Sequence, residues 1–243
     1  MAVEGGPQTH RHRSQTMGTK GTTVSIKSAD GHNFDMYLAR PEGQAKGAVV
    51  ICPEIFGINS HIQSVADQYA ASGYIAAAPA LFDRVQAQYV AGYEQSDIET
   101  GIAIMQKIPM TDAIADTHAA VEHVRALHEK VAVIGYCWGG TVAWVAAAQV
   151  PGLSSAISYY PGGLIANADL KPQCPTMMHL GEQDKSPPPD AARTVLAEHP
   201  TVIAYFYPAG HGFNCDQRGS FDKDSSAKAT ERTLAFLGLN AER

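Results

Sequence analysis

From Val131 to Ala168 the chain carries no Asp, Glu, Lys or Arg. A stretch of that kind must leave water, inside a membrane or inside a protein. The membrane is excluded by pattern. Gly, Pro, Ser, Gln and Asn interrupt the segment throughout, and the longest unbroken apolar run in the chain, Ile75 to Phe82, is eight residues even with Pro79 counted. A membrane helix needs roughly 20. The segment therefore reads as the buried centre of a β-sheet.

The flanking sequence supplies the rest of that sheet. Thr22 to Lys27 and Phe34 to Ala39 alternate and are joined through Ala29-Asp30-Gly31, which predicts an opening hairpin. Ala48 to Pro53 is a continuous apolar run rich in β-branched residues, the pattern of a strand covered on both faces. Asn59 to Ser72 has helical spacing at Ile62, Val65, Ala66, Tyr69 and Ala70 and stops at Gly73. Ile75 to Ala78 is the next strand. A long amphipathic helix follows over Thr111 to Leu127, capped by Thr111 or Asp112. Further strands are predicted at Val131 to Ile134, Ala156 to Tyr159, Pro175 to Leu180 and Val202 to Tyr207, and a last helix at Asp222 to Leu237. Between Asp83 and Pro109 the periodicity weakens, and a helical excursion over the sheet edge is the reading there. Strands alternating with helices give an α/β fold with a mostly parallel sheet and helices on both faces. Right-handed crossovers then put the strands' carboxyl ends on one edge, where ligands bind.

The 243 residues show no repeat, coiled coil or linker, so residues 21–243 are expected to form a single domain. Residues 1–20, with His10-Arg11-His12-Arg13, a second possible start at Met17 and no apolar core of a signal peptide, are expected to be a disordered extension. A formal net charge of −6 argues against nucleic acid as a partner. Four cysteines in this length do not make a disulfide scaffold and point to a reducing, cytoplasmic location. The oligomeric state is left open, with a monomer as the simpler expectation.

Chemistry concentrates first in Gly135-Tyr136-Cys137-Trp138-Gly139-Gly140, directly after a predicted strand and before a helical run. This is the G-x-nucleophile-x-G elbow with cysteine as the nucleophile. A nucleophile on so sharp a turn needs neighbours without bulk two residues to either side. The helix that begins there also aims its positive end at the sulfur. Cys52, Cys174 and Cys215 read as core or loop thiols. A base and an orienting acid should follow in the order nucleophile, acid, histidine. His211, in Pro208-Ala209-Gly210-His211-Gly212 after the last strand, is the candidate base. His199, before Pro200, suits a solvated or capping role, and His179 is interior to a strand. Asp184, closing Gly181-Glu182-Gln183-Asp184, is the candidate acid. Glu182 is a weaker rival, and Asp190 belongs to a helix start. Glu54 follows Pro53 at the end of a central strand, where a half-buried carboxylate with a raised pKa could act as a base.

Together, Cys137 in its elbow, Pro53-Glu54-Ile55-Phe56-Gly57, Gly181-Glu182-Gln183-Asp184 and Ala209-Gly210-His211-Gly212-Phe213 resemble the dienelactone hydrolases (carboxymethylenebutenolidases) of the α/β-hydrolase superfamily. The resemblance covers about residues 20–238. It implies a triad of Cys137, Asp184 and His211, with Glu54 taking the thiol proton when substrate binds. Backbone amides of Ile55 and Trp138 would form the oxyanion hole. The implied reaction opens a small lactone, dienelactone, to maleylacetate through a thioester, with no metal or organic cofactor. The family's best-known members hold the substrate carboxylate with two arginines. Arg84 matches the first, the second position is Cys215, and Arg218 stands three residues further on. Phe56, Tyr159 and Tyr160 are further candidates for the pocket wall. A broader short-chain carboxylesterase on the same triad is the alternative. A non-enzymatic binding protein on this scaffold, or a redox thiol protein, fits less well, since the triad is complete and no C-x-x-C pair occurs.

Overall fold

The computed structural model describes residues 20–241. The expected extension lies outside them, Lys20 apart. Eight strands form one sheet: β1 (Thr22–Lys27), β2 (Asn33–Ala39), β3 (Gly47–Cys52), β4 (Tyr74–Pro79), β5 (Val131–Tyr136), β6 (Ser155–Tyr159), β7 (Thr176–Gly181) and β8 (Ile203–Tyr207). Their order across the sheet is β1-β2-β4-β3-β5-β6-β7-β8. β2 pairs antiparallel with both β1 and β4, and every other neighbouring pair is parallel. Six helices cover it: α1 (Ser60–Ala71), α2 (Gln95–Met105), α3 (Met110–Arg125), α4 (Trp138–Gln149), α5 (Pro189–Ala197) and α6 (Lys223–Ala241).

Each layer follows from its sequence pattern. β3 and β5 are buried at every position, as their unbroken apolar runs require. α4 is buried from Trp138 to Ala147 and has no charged residue, which accounts for the charge-free segment. α1 and α6 pack on one face through Ile62, Val65, Ala66 and Phe236. α3 and α4 pack on the other through Ala113, Ala120, Val124 and Val142. Asn59 caps α1, its side chain accepting from the Ile62 amide at 3.2 Å. The expected cap of α3 differs: Pro109 holds that position and Asp112 sits in the first turn, beside the positive end of the helix. Among the described residues no helix is long and apolar enough to cross a membrane.

The chain runs from β3 outward to β4 and then returns to the other side of β3 as β5. This reversal opens a crevice at the carboxyl ends of β3 and β5, the place where open α/β sheets bind ligands. Glu54 leaves β3 at that point and Cys137 leaves β5.

His179 is the core histidine its strand position suggests. It is fully buried in β7, with Nδ1 2.8 Å from the Tyr207 hydroxyl and Nε2 3.0 Å from that of Thr233. His199 departs from expectation. It is buried too, its Nε2 lies 2.7 Å from the Ala168 carbonyl, and its ring meets Trp144 edge-on. The turn after α5 folds over Trp144, so this histidine closes the core where a capping role was expected.

Burial, helped by the charge of Arg232, pushes the His179 pKa from 6.5 down to about 3. Below pH 6.5 the unfolded chain therefore gains a proton that the folded chain refuses, and stability falls as pH drops from 6.5 towards 3. The loss amounts to about 2 kcal/mol near pH 5. Urea unfolding near pH 7 and pH 5 should show a decline that is smaller by about this amount in His179→Gln.

Candidate active site

The turn between β5 and α4 fixes the site. Cys137 has φ +58° and ψ −116°, a strained conformation for a residue with a side chain. Its amide donates to the Tyr159 carbonyl at 3.0 Å, which anchors the turn to β6. The flanking glycines are steric requirements. A methyl group on Gly135 would strike the Gly139 carbonyl, and one on Gly139 would strike the carbonyls of Cys52 and Pro53. α4 can therefore begin directly against the end of β3, beside Glu54 and Ile55.

The strand ends on the other side bring up two more groups. Asp184 is buried, and its carboxylate receives the Ser186 amide at 2.8 Å. Its Oδ2 lies 2.9 Å and its Oδ1 3.2 Å from Nδ1 of His211. The two loops that carry them are laced together: the Glu182 amide donates to the Tyr207 carbonyl and the Gln183 amide to that of Ala209. Cys137, Asp184 and His211 all line one cavity. Burial opposes a charged His211, but the charge of Cys137 and the hydrogen bonds to Asp184 and Cys137 outweigh it and raise the imidazole pKa from 6.5 to about 10. Ile55 and Trp138 line the same cavity, and among the described residues neither backbone amide has a protein acceptor.

Glu54 is more deeply placed than a half-buried acid, at 1% exposure. Its partner is Arg218, whose Nη1 donates to Oε1 at 2.9 Å. The Tyr93 hydroxyl reaches Oε2 only at 3.5 Å, and no hydrogen bond joins Glu54 to Cys137. The Arg218 guanidinium lies 5.7 Å from the centre of the Phe56 ring, and both residues line the cavity.

Three expected pocket residues are elsewhere. Arg84 grips the fully buried Asp116 in a fork, Nε to Oδ2 at 2.8 Å and Nη2 to Oδ1 at 2.6 Å, and donates to Asp30 at 2.6 Å. A buried carboxylate must be paired, and its claim holds Arg84 against α3 and the β1–β2 turn, away from the cavity. Tyr159 points into the core, its hydroxyl 2.7 Å from that of Thr233 and its ring against His179. Tyr160 is also fully buried and packs behind His211, ring centres 5.1 Å apart. Glu182 and Asp190 are exposed at the surface and both pair with Arg193.

The cavity holds about 760 Å³. One wall is apolar and comes from the segment whose periodicity is weak. Ile98, Ile102 and Met105 share one face of α2 at helical spacing, and Ile108 and Met110 continue the wall. That i, i+4, i+7 spacing was the available signal. The polar lining groups include Gln183, Lys185, Ser186 and Arg218.

A mostly parallel sheet with a nucleophile elbow after a central strand, and acid and histidine on later loops, is the α/β-hydrolase fold. The Dienelactone hydrolase family matches residues 34–240, and the chain belongs to that family; it is a hydrolase. Carboxymethylenebutenolidase 1 of Cupriavidus pinatubonensis is 32% identical over 89% of this chain and 96% of its own length. Carboxymethylenebutenolidase of Pseudomonas putida is 30% identical over 88% and 94%. A solved structure from Klebsiella pneumoniae subsp. pneumoniae, described as a dienelactone hydrolase, superposes with a TM-score of 0.74 at 28% identity, covering 89% of this chain and 98% of that one.

Two outcomes test the geometry. Gly139→Ala forces α4 off the end of β3 and should abolish ester hydrolysis in whatever fraction of the protein folds, as read by activity alongside circular dichroism. Arg84→Met should destabilise the fold by about 3–5 kcal/mol in urea unfolding, because it strands Asp116, while leaving the KM of the folded enzyme within about twofold.

Proposed function

We infer that the chain hydrolyses a carboxylic ester or lactone with Cys137 as nucleophile and a thioester intermediate. The observation that carries this is the His211 ring, held at Nδ1 by the buried Asp184 in the cavity that Cys137 also lines. Such an imidazole stabilises the thiolate beside it and carries the proton that the leaving group needs. The thiolate adds to the carbonyl carbon, and the oxygen takes up negative charge in front of the Ile55 and Trp138 amides. Collapse breaks the ester C–O bond, and His211 returns a proton to the departing oxygen. In a dienelactone that oxygen leaves as an enolate, and the proton that His211 gives up ends on carbon, giving maleylacetate. Water, losing a proton to His211, then cleaves the thioester. Asp184 keeps Nδ1 protonated throughout, so that Nε2 is the nitrogen that works.

Glu54 and Arg218 fit the proton's entry into this cycle. While Arg218 is paired with Glu54, the carboxylate is committed. A substrate carboxylate drawing on Arg218 loosens that pair and frees Glu54 to take the thiol proton. Arg218 then has the substrate-binding role expected of Arg84. The names of the curated relatives and the family membership support dienelactone as the first substrate to try.

The apolar wall from Ile98 to Met110 favours a second reading, an ester whose acyl or alcohol part is bulkier than a dienelactone ring. Burying one methylene contributes about 0.8 kcal/mol, or roughly fourfold in kcat/KM. Hydrolysis of cis- and trans-dienelactone and of p-nitrophenyl acetate, butyrate and hexanoate decides between them. Cys137→Ala should lose at least about a thousandfold on every substrate turned over, in line with loss of a nucleophile. Dienelactone turnover that depends on Arg218 supports the first reading. A rise of about fourfold per methylene, without dienelactone turnover, supports the second. Full activity in Cys137→Ala would refute both.

A further inference from the structure

Behind the cavity three side chains converge that hydrolysis does not need together. Glu54 at the exit of β3, His61 in the first turn of α1 and Cys215 in the loop after His211 are all buried. One donor atom from each, a carboxylate oxygen, a ring nitrogen and Sγ, lies within 4.8 Å of the other two. Cys215 comes from a loop far along the chain from Glu54 and His61, so the meeting of the three is a product of the fold.

His61 gives the cluster its direction. It is 3% exposed. Its Nδ1 lies 3.0 Å from Oδ1 of Asp216, and its Nε2 is buried with no hydrogen-bond partner. A carboxylate on one ring nitrogen fixes the tautomer and leaves the other nitrogen as a lone-pair donor, the arrangement that orients metal-binding histidines. Cys215 is buried beside it; burial first, and the charge of Glu54 next, push its thiol up to about 11.

We propose that Glu54, His61 and Cys215 form a binding site for a zinc-class divalent cation, with Asp216 orienting His61. One sulfur, one imidazole nitrogen and one carboxylate oxygen match the donors zinc takes, at about 2.3, 2.0 and 2.1 Å, and a solvent oxygen completes the four. Donors around such an ion stand roughly 3.5 Å apart, so binding draws these three inward by on the order of 1 Å. The S–H bond breaks, an S–metal bond forms and the proton leaves to solvent; no electron changes hands. A thiolate and a carboxylate neutralise the divalent charge. The ion also takes the carboxylate that Arg218 holds at 2.9 Å, so the cation and the Arg218–Glu54 pair compete. The site rests on this geometry and not on the role of Glu54 in hydrolysis.

The test uses the full chain carrying Cys137→Ala, so that the elbow thiol cannot answer, stripped of metal and titrated with Co²⁺ and then Zn²⁺. One equivalent of Co²⁺ should produce a thiolate-to-cobalt charge-transfer band that Zn²⁺ abolishes. Adding Cys215→Ser should remove the band, adding His61→Gln should weaken binding at least about tenfold, and adding Arg218→Met should tighten it by a similar factor, since the competing cation is gone. Absence of the band, its survival in Cys215→Ser, or unchanged affinity in His61→Gln overturns the site. Circular dichroism checks each variant. Should one fail to fold, X-ray absorption of the zinc-loaded Cys137→Ala protein decides instead: one sulfur with imidazole in the shell upholds the site, and a shell without sulfur overturns it.

Discussion

The close approach of two backbones decides the rest of this structure. The turn after β5 presses its glycines against the last carbonyls of β3, and only residues without a Cβ at 135 and 139 permit it. From that contact follow the position of the α4 amino end, the forced φ of Cys137, and the placement of the Ile55 and Trp138 amides along one cavity. Strain at Cys137 is tolerated because its amide is tied to β6 and α4 is buried almost throughout its length. Cys137 therefore stands between a fully buried strand and an almost fully buried helix, where the surroundings tolerate little displacement.

Around that centre, buried carboxylates choose their cations. Asp116 claims Arg84 through two short hydrogen bonds, and Glu54 claims Arg218. Each pair satisfies a charge that could not stay unpaired inside the protein. They differ in what else the arginine touches. Arg84 links α3 to the β1–β2 turn through Asp30, outside the cavity, whereas Arg218 lies on the cavity wall beside Phe56. An arginine in a sequence motif is thus an offer of charge, and the nearest buried acid decides where it is used.

That distinction explains what could and could not be read from the sequence. The strands, the mostly parallel sheet and the elbow are local or periodic patterns, and they were legible. So was the order Cys137, Asp184, His211, because strand ends on one edge bring such loops together. Arg84 misled because the partner that holds it, Asp116, lies on the buried face of α3, where a lone acid in an amphipathic pattern gives no sign of whom it binds. Tyr159 and Tyr160 end a strand on the correct edge, yet the first points into the core and the second bends back at φ +37° to support His211. His199 looked solvated because it precedes a proline, and only tertiary packing on Trp144 buries it. Ligand spacing within a helix gives a recognisable metal motif, but Glu54, His61 and Cys215 share no spacing at all and are legible only once folded.

The same carboxylate lies where these constraints meet. Glu54 is held by Arg218 on the cavity side, approached by Tyr93, and lies among His61 and Cys215 behind. A buried anion with one committed oxygen and one barely engaged is a poor structural element on its own, since an apolar residue of similar size packs at no electrostatic cost. Its position next to the nucleophile elbow makes sense if its partner can change. Arg218 lines the cavity that Cys137 also lines, so whatever draws it away from Glu54 rearranges charge along that wall.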